Sequence, residues 1–236
     1  MMIFMIPHTL SFDRTCGAIV RGFLHDVANP LAAAMMNLDC MRDNENDADR
    51  DEIIRDAKLA LKETQAILGR VRDICLYETG DVAAGGTLGK IDAILENIAA
   101  DFEARTGREN RTLKFRIASA CRSDAPEKLV RNIVANLVEE LLRHEAASVT
   151  LSSRAQDLSI QLIVEADGHA PPPDIPLFSP HCYLSKNCSW NRGLLLTHVH
   201  RAVTFHGGSV SCSVSDQGGA RFEILLPARE TNRASD

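Results

Sequence analysis

Between residues 53 and 75 small and apolar side chains return at alternating steps of four and three without a break: Ile53, Ala57, Ala60, Thr64, Ile67, Val71 and Ile74. Only a helix gathers such a series on one side. Beside it runs a second series, Ile54, Leu61, Leu68 and Cys75, each seven residues apart. Upstream, residues 12–41 carry Ile19, Phe23, Val27, Leu31, Ala34, Leu38 and Met41 at similar spacing, and the polar turn Asp43 to Asp47 separates the two segments. The pattern predicts a helical hairpin whose apolar face is too wide for one partner helix. Large exposed apolar patches mark interfaces, and two copies pairing as a four-helix bundle would bury this one. The expectation is a homodimer through residues 12–78.

Composition narrows the classes of function. The chain has 236 residues, enough for one large domain or two small ones, and 45% of them are hydrophobic and 25% charged. A formal charge of −6 disfavours a nucleic-acid binder, which needs a basic face. The opening Met1 to Pro7 is apolar but lacks a basic flank and is too short for a signal segment or a membrane span. No membrane association is expected, and the predicted location is cytoplasmic. Seven cysteines without CxxC spacing fit reduced thiols. His181, Cys182, Cys188, His198 and His200 follow no zinc pattern, so no metal is assigned.

The organisation predicted from this pattern is a hairpin domain over residues 1–80 and an α+β domain over 86–230. A Gly- and Ala-rich joint lies at Gly80 to Gly89. A helix is expected over Ile91 to Arg105 and a strand near Thr112 to Ile117. Asp124-Ala125-Pro126-Glu127 reads as the start of a helix running to His144. Strands at Ser148–Arg154 and Leu158–Glu165 come next, then a Pro-rich stretch, Ala170 to Asn191. A helix at Gly193–His206 is stopped by Gly207-Gly208, and a hairpin of Val210–Val214 and Arg221–Leu226 closes the fold. Helices covering one face of a mixed, mainly antiparallel sheet is the implied architecture.

One stretch carries chemistry: Phe23-Leu24-His25-Asp26-Val27-Ala28-Asn29-Pro30-Leu31. An imidazole sits beside an acid in mid-helix, and a proline follows where it costs a helix interior about 3 kcal/mol. An imidazole titrates near neutrality and attacks phosphorus once one nitrogen is free. Asn29, one turn on, shares the imidazole's face and could bond phosphoryl oxygens. In an arbitrary protein such a histidine is a solvated residue on a polar helix face; here its flanks and the downstream domain argue for more.

The flanks resemble the phosphoacceptor segment of two-component histidine kinases. The second half resembles their ATP-binding domain of the Bergerat type, on His206-Gly207-Gly208-Ser209-Val210, on Gly218-Gly219-Ala220-Arg221-Phe222 through Pro227, and on Asn132 to His144 as the N-box helix. Aligned so, the N-box asparagine that holds Mg²⁺-ATP is replaced by Glu140. The aspartate that receives the adenine amino group falls at Ala166, with Asp167 beside it as a substitute one residue away. Gly168 survives and the following glycine is Ala170. In the second glycine box Gly193 survives and the next glycine is Leu195. A phosphoacceptor hairpin joined to an ATPase-like domain without its nucleotide groups resembles the ChpT-type histidine phosphotransferases, with sporulation phosphotransferase B a more distant analogue. That resemblance implies phosphoryl transfer between receiver-domain aspartates through His25, with Asp26 orienting the ring and Asn29 touching the phosphoryl group. It implies no cofactor of the chain's own, Mg²⁺ coming from the receiver. The implied partners are the receivers of a hybrid histidine kinase and of downstream response regulators. Two alternatives stay open: an active kinase with a divergent pocket, and a scaffold that grips receivers without exchanging phosphate.

Overall fold

A computed structural model gives the fold over residues 8–42, 47–82, 87–108, 114–119, 124–143, 148–156, 159–167 and 190–227. The chain divides into two compact units, one of residues 1–73 with 183–194, the other of residues 74–182 with 195–236. The first unit thus ends at Asp73, within the second helix.

In the first unit, α1 (His8–Arg42) and most of α2 (Asp47–Thr79) are separated by four residues, and each buries a stripe. On α2 the stripe is the unbroken one, with Ala57, Thr64 and Ile67 buried. On α1 it differs from the expected series. Ala34 is buried and Phe23, Val27, Pro30, Asn37 and Met41 are half-buried, whereas Leu31 and Leu38 are exposed. Leu31 and Leu38 belong with Leu24 to a separate outward row, as Leu61 and Leu68 do on α2. The cause is angular: each step of four advances about 40° round a helix, and the consecutive steps of four from Ile19 carry Leu31, and with it Leu38, away from the line of Phe23, Ala34 and Met41. Helix α1 continues through Pro30. Its ring removes the N–H that would bond the Asp26 carbonyl.

The second unit is a five-stranded sheet in the order β2-β4-β5-β7-β6, with a separate β1-β3 pair. Strands β2 (Lys114–Ser119) and β4 (Ser148–Gln156) are parallel; β4, β5 (Ser159–Ala166), β7 (Ala220–Pro227) and β6 (Ser209–Val214) are antiparallel. Residues paired across the sheet share a face, so Leu151, Val164 and Phe222 form one buried row and Leu162 and Ile224 belong to the next. Buried residues of α3 (Ile91–Arg108), α4 (Glu127–Arg143) and α5 (Trp190–Phe205) complete the core, among them Leu95, Ile98, Ile133, Leu137, Leu195 and Val199.

One boundary differs from expectation. Asp124-Ala125-Pro126 is the strand β3, paired antiparallel with β1 (Leu88–Lys90), and α4 begins only at Glu127. A residue before proline is driven to extended backbone, which suits Ala125 to a strand. The Glu127 N–H, an end donor of the helix, bonds the Thr87 carbonyl at 3.0 Å. At the other end, α5 closes as the glycines predict. Gly207 (φ 76°) donates to Thr204 and Gly208 to Val203, the paired bonds of a Schellman cap. Gly208 has no room for a Cβ, which would meet the Leu225 carbonyl.

The last turn of α2 is part of this second unit. Tyr77 packs against Phe205, His198 and His206, with ring centroids 5.4, 6.0 and 6.3 Å away, and Glu78 pairs with Arg201 at 3.1 Å. Among the described residues no helix is long and apolar enough to cross a membrane.

Candidate functional site

Helix α1 presents His25 to solvent, its side chain 70% exposed, beside an Asp26 side chain that is 19% exposed. His25 Nδ1 and Asp26 Oδ1 lie 3.0 Å apart. A carboxylate only accepts, so the pair fixes the tautomer: Nδ1 carries the proton and donates it, and Nε2 keeps a lone pair. The Asn29 amide nitrogen lies 3.3 Å from Nδ1 and 3.5 Å from Nε2. With Nδ1 protonated, its N–H can donate only to Nε2, at the outer limit of a hydrogen bond. The three residues singled out from sequence therefore meet in one cluster. The arrangement leaves a nucleophilic nitrogen facing water with an amide donor at its edge.

The residues at the nucleotide positions sit differently. Glu140 is 1% exposed on α4, Ala166 is 3% exposed at the end of β5, and Leu195 is 0% exposed on α5, where Gly193 is buried as well. Gly168 and Ala170 lie outside the described residues, as do His181, Cys182 and Cys188. Asp167, the substitute acceptor, is engaged elsewhere. Its Oδ1 accepts the Ser148 N–H at 2.9 Å and its Oδ2 the Ser148 hydroxyl at 3.1 Å, tying the start of β4 to the end of β5. The Ala166 carbonyl accepts the Ser215 hydroxyl at 3.1 Å, and Ser215 Oγ accepts the Gly219 N–H at 3.1 Å. Gly219 lies so close that a Cβ there would meet the Ala166 carbonyl. The β6–β7 turn thus packs onto the end of β5, where the resemblance had placed an adenine contact.

Sequence reasoning passed over one link. Asn136 on α4 and His198 on α5 hydrogen-bond through Asn136 Nδ2 and His198 Nδ1 at 3.0 Å. A polar residue inside the otherwise apolar run Ile133 to Val138 was the available signal, since buried polar groups find partners. His198 entered the sequence reading only as one of several unconvincing metal ligands; its ring is buried between Asn136 and Tyr77. His206 caps α5, its Nδ1 donating to the Ala202 carbonyl at 2.9 Å. His200 also lies on α5, half-buried, with Nδ1 lacking a hydrogen-bond partner among the described residues. Burial, and secondarily the Arg201 charge, lower its pKa from the ordinary histidine value.

Residues 122–230, just under half of the chain, match the family described as histidine kinase-, DNA gyrase B- and HSP90-like ATPase. The chain is 24% identical to the sensor protein RstB of Escherichia coli K12 over 214 residues, covering 89% of this chain and 48% of RstB. It is 28% identical to the sensor histidine kinase ZraS of Escherichia coli O157:H7 over 111 residues, 46% of this chain and 24% of ZraS. It thus spans half or less of the curated relatives it matches. Among solved structures, the Acinetobacter baumannii histidine kinase AdeS superposes with a TM-score of 0.67 at 16% identity, covering 87% of this chain and 98% of AdeS. Full-length ShkA in complex with AMPPNP gives 0.58 at 19% identity, over 90% of this chain and 45% of ShkA. These likenesses, with the strand order and the described helices, identify a helical N-terminal region followed by an ATPase-like α+β domain of the histidine-kinase type.

Proposed function

We propose that this chain is a histidine phosphotransferase of a two-component relay, of the ChpT type, working as a homodimer whose hairpins form a four-helix bundle. His25 is the phosphoacceptor. The observation that carries the reading is its exposed Nε2, freed by the bond between Nδ1–H and Asp26. A receiver's aspartyl phosphate is an acyl phosphate. The Nε2 lone pair attacks phosphorus, the bond from phosphorus to the carboxyl oxygen breaks, and the receiver aspartate leaves as carboxylate. Asp26 balances the positive charge that develops on the ring. Asn29 donates its amide N–H to a phosphoryl oxygen. Transfer to a second receiver reverses these steps. Such transfer asks mainly for alignment and charge neutralisation, and Mg²⁺ belongs to the receiver.

The nucleotide positions support transfer without ATP. A buried carboxylate at Glu140 adds negative charge next to a polyphosphate, and Ala166 offers an adenine no acceptor side chain. Asp167 already holds Ser148, and Leu195 fills space that a glycine would leave to phosphate. A second reading, an active histidine kinase, draws on the similarity to RstB and ZraS and on the ATPase-family match.

Phosphate exchange separates the readings. Receivers pre-phosphorylated with acetyl phosphate are mixed with wild-type chain and with His25→Ala, beside controls holding only labelled ATP. The proposal expects label on the wild type from receiver, none on His25→Ala, and none from ATP. Label from ATP establishes the kinase. No label from either source, with receiver binding retained, leaves a scaffold.

A further inference from the structure

The first half of α5 is covered all round, Gly193 through Val199 being buried, and polar groups are covered with it. Thr197 is 5% exposed. Thr197 Oγ1, His200 Nδ1 and Arg201 Nε are shielded from solvent, and none of the three has a hydrogen-bond partner among the described residues. Their residues stand at i, i+3 and i+4 and so share one face of the helix. At about 100° per residue, that face lies about 120° to 160° round α5 from Leu195. It is a different surface from the nucleotide position. Two other helical threonines spend their hydroxyls on their own backbone: Thr64 donates to the Ala60 carbonyl at 3.0 Å and Thr204 to the His200 carbonyl at 2.8 Å. Thr197 makes no such bond. Arg201 is half used. Its Nη2 pairs with Glu78 Oε1 at 3.1 Å, and its Nε–H, nearer the helix, is left over.

We infer that Thr197, His200 and Arg201 form a binding site for a small oxyanion of the phosphate class. The inference stands apart from the phosphotransfer reading. Buried donors without acceptors are costly, and native structures answer them with an ordered water or an ion. The donor set chooses between these. Arg201 Nε only donates, the Thr197 hydroxyl donates a hydrogen that no backbone carbonyl holds, and His200 Nδ1 donates in its Nδ1–H tautomer. A water accepts two such bonds at most. A tetrahedral oxyanion accepts all three on separate oxygens, and a bond from a guanidinium to an anion is of the strong, charge-assisted kind. The arginine excludes a cation. Shielding of the three atoms suits a free ion better than a bulky phosphate ester. An ion held here shares the Arg201 guanidinium with Glu78, so it draws on the same charge that fixes the last turn of α2 to α5.

The test titrates the full-length chain with inorganic phosphate by calorimetry, at constant ionic strength set with chloride. It is repeated on Thr197→Val, which keeps the shape and loses the hydroxyl, and on Arg201→Lys, which keeps a charge for Glu78 and loses Nε–H. Arg131→Lys on α4 is the control for an exchanged arginine. Melting curves check that each variant folds, and the rise in melting temperature with phosphate is a second readout. The assignment expects saturable binding of one phosphate by wild type and by Arg131→Lys. Thr197→Val and Arg201→Lys should each weaken it about tenfold or more, the scale of one hydrogen bond to a charged group. Binding of glycerol 3-phosphate as well, weakened by the same two variants, would support the site and widen its ligands to phosphate esters. No saturable heat and no rise in melting temperature for wild type up to about 20 mM phosphate overturns the site. So does equal binding by wild type, Thr197→Val and Arg201→Lys. Loss of binding in His25→Ala would place the ion at the phosphoacceptor and overturn the assignment too. Phosphate exchange through His25 is measured separately and is untouched by any of these results.

Discussion

His25 and Glu140 sit in regions that the same resemblance marks as chemical, and the two regions are built in opposite ways. Around His25 the ring and Asn29 are exposed, Asp26 is half-buried, and among the described residues they bond one another: Asp26 fixes the proton, and Asn29 stands at the ring edge. Around Glu140, Ala166 and Leu195 the residues are buried, and the polar groups nearby are spent on structure. Asp167 ties β4 to β5, Ser215 and Gly219 pack the last hairpin onto Ala166, and Asn136 joins α4 to α5 through His198. On the proposed reading, a site that meets another protein stays open and pre-oriented, and a region that holds no nucleotide fills with its own side chains, since interiors tolerate few voids.

The strongest way to break this comparison is at the open site. His25→Ala should abolish phosphoryl acceptance from a receiver while leaving thermal unfolding unchanged, measured as label on the chain beside a melting curve. Label persisting on the variant would move the chemistry elsewhere. A smaller effect comes from Asp26→Asn, which removes the carboxylate charge and lets an amide N–H face the ring, so that the Nδ1–H tautomer is no longer imposed. Losing a group that orients an imidazole costs on the order of tenfold to a hundredfold. Transfer rates should fall by that much, and ¹⁵N spectra should show the ring shifting away from the Nδ1–H form.

At the closed region the expected readout is stability. Gly219→Val drives a side chain into the Ala166 carbonyl. Overpacking of this kind costs about 1–3 kcal/mol, and a backbone obstacle puts this case near the top, read as a lower urea midpoint with transfer through His25 retained. Asp167→Ala cuts the two bonds to Ser148 and should cost about 2 kcal/mol, the scale of hydrogen bonds to a charged group. If Asp167 served nucleotide instead, ATP affinity would change and the urea midpoint would not.

The smallest expected effect is a pH dependence. His200 has a lowered pKa in the folded chain, first from burial and then from Arg201. As pH falls below about 6.5, the ordinary value, the unfolded chain takes up a proton that the folded chain resists. The contribution of His200 to stability is therefore full above that pH and is lost as pH falls through the lower folded value. Unfolding midpoints measured between pH 7.5 and 5 should decline for wild type and decline less for His200→Gln.

The relation of sequence to structure is uneven, for reasons that can be named. The alternation of four and three along α2, the Gly207-Gly208 stop and the last hairpin were all legible, because each depends on local periodicity or on a backbone angle that glycine permits. So was the grouping of His25, Asp26 and Asn29, since residues one and four apart on a helix stay within reach of each other. Less legible was Asp124-Ala125-Pro126, where a helix-start pattern lost to pairing with Leu88–Lys90, a partner some thirty-six residues away. Asp167 looked like a ligand group from its neighbours alone; its actual partner, Ser148, is brought to it by the β4–β5 pairing.

By itself, then, the sequence determined the helices and the strands of the five-stranded sheet, though not the β1-β3 pair, and that an imidazole, a carboxylate and an amide share one turn of α1. These follow from forces acting within a few residues. The tertiary structure alone decided that Leu31 and Leu38 face outward while Ala34 faces in, and that Ala166 lies under Gly219. It also decided that Asp167, Asn136 and His198 hold the fold together. Those outcomes depend on which surfaces meet, and burial and hydrogen-bond satisfaction are settled only when distant segments come into contact.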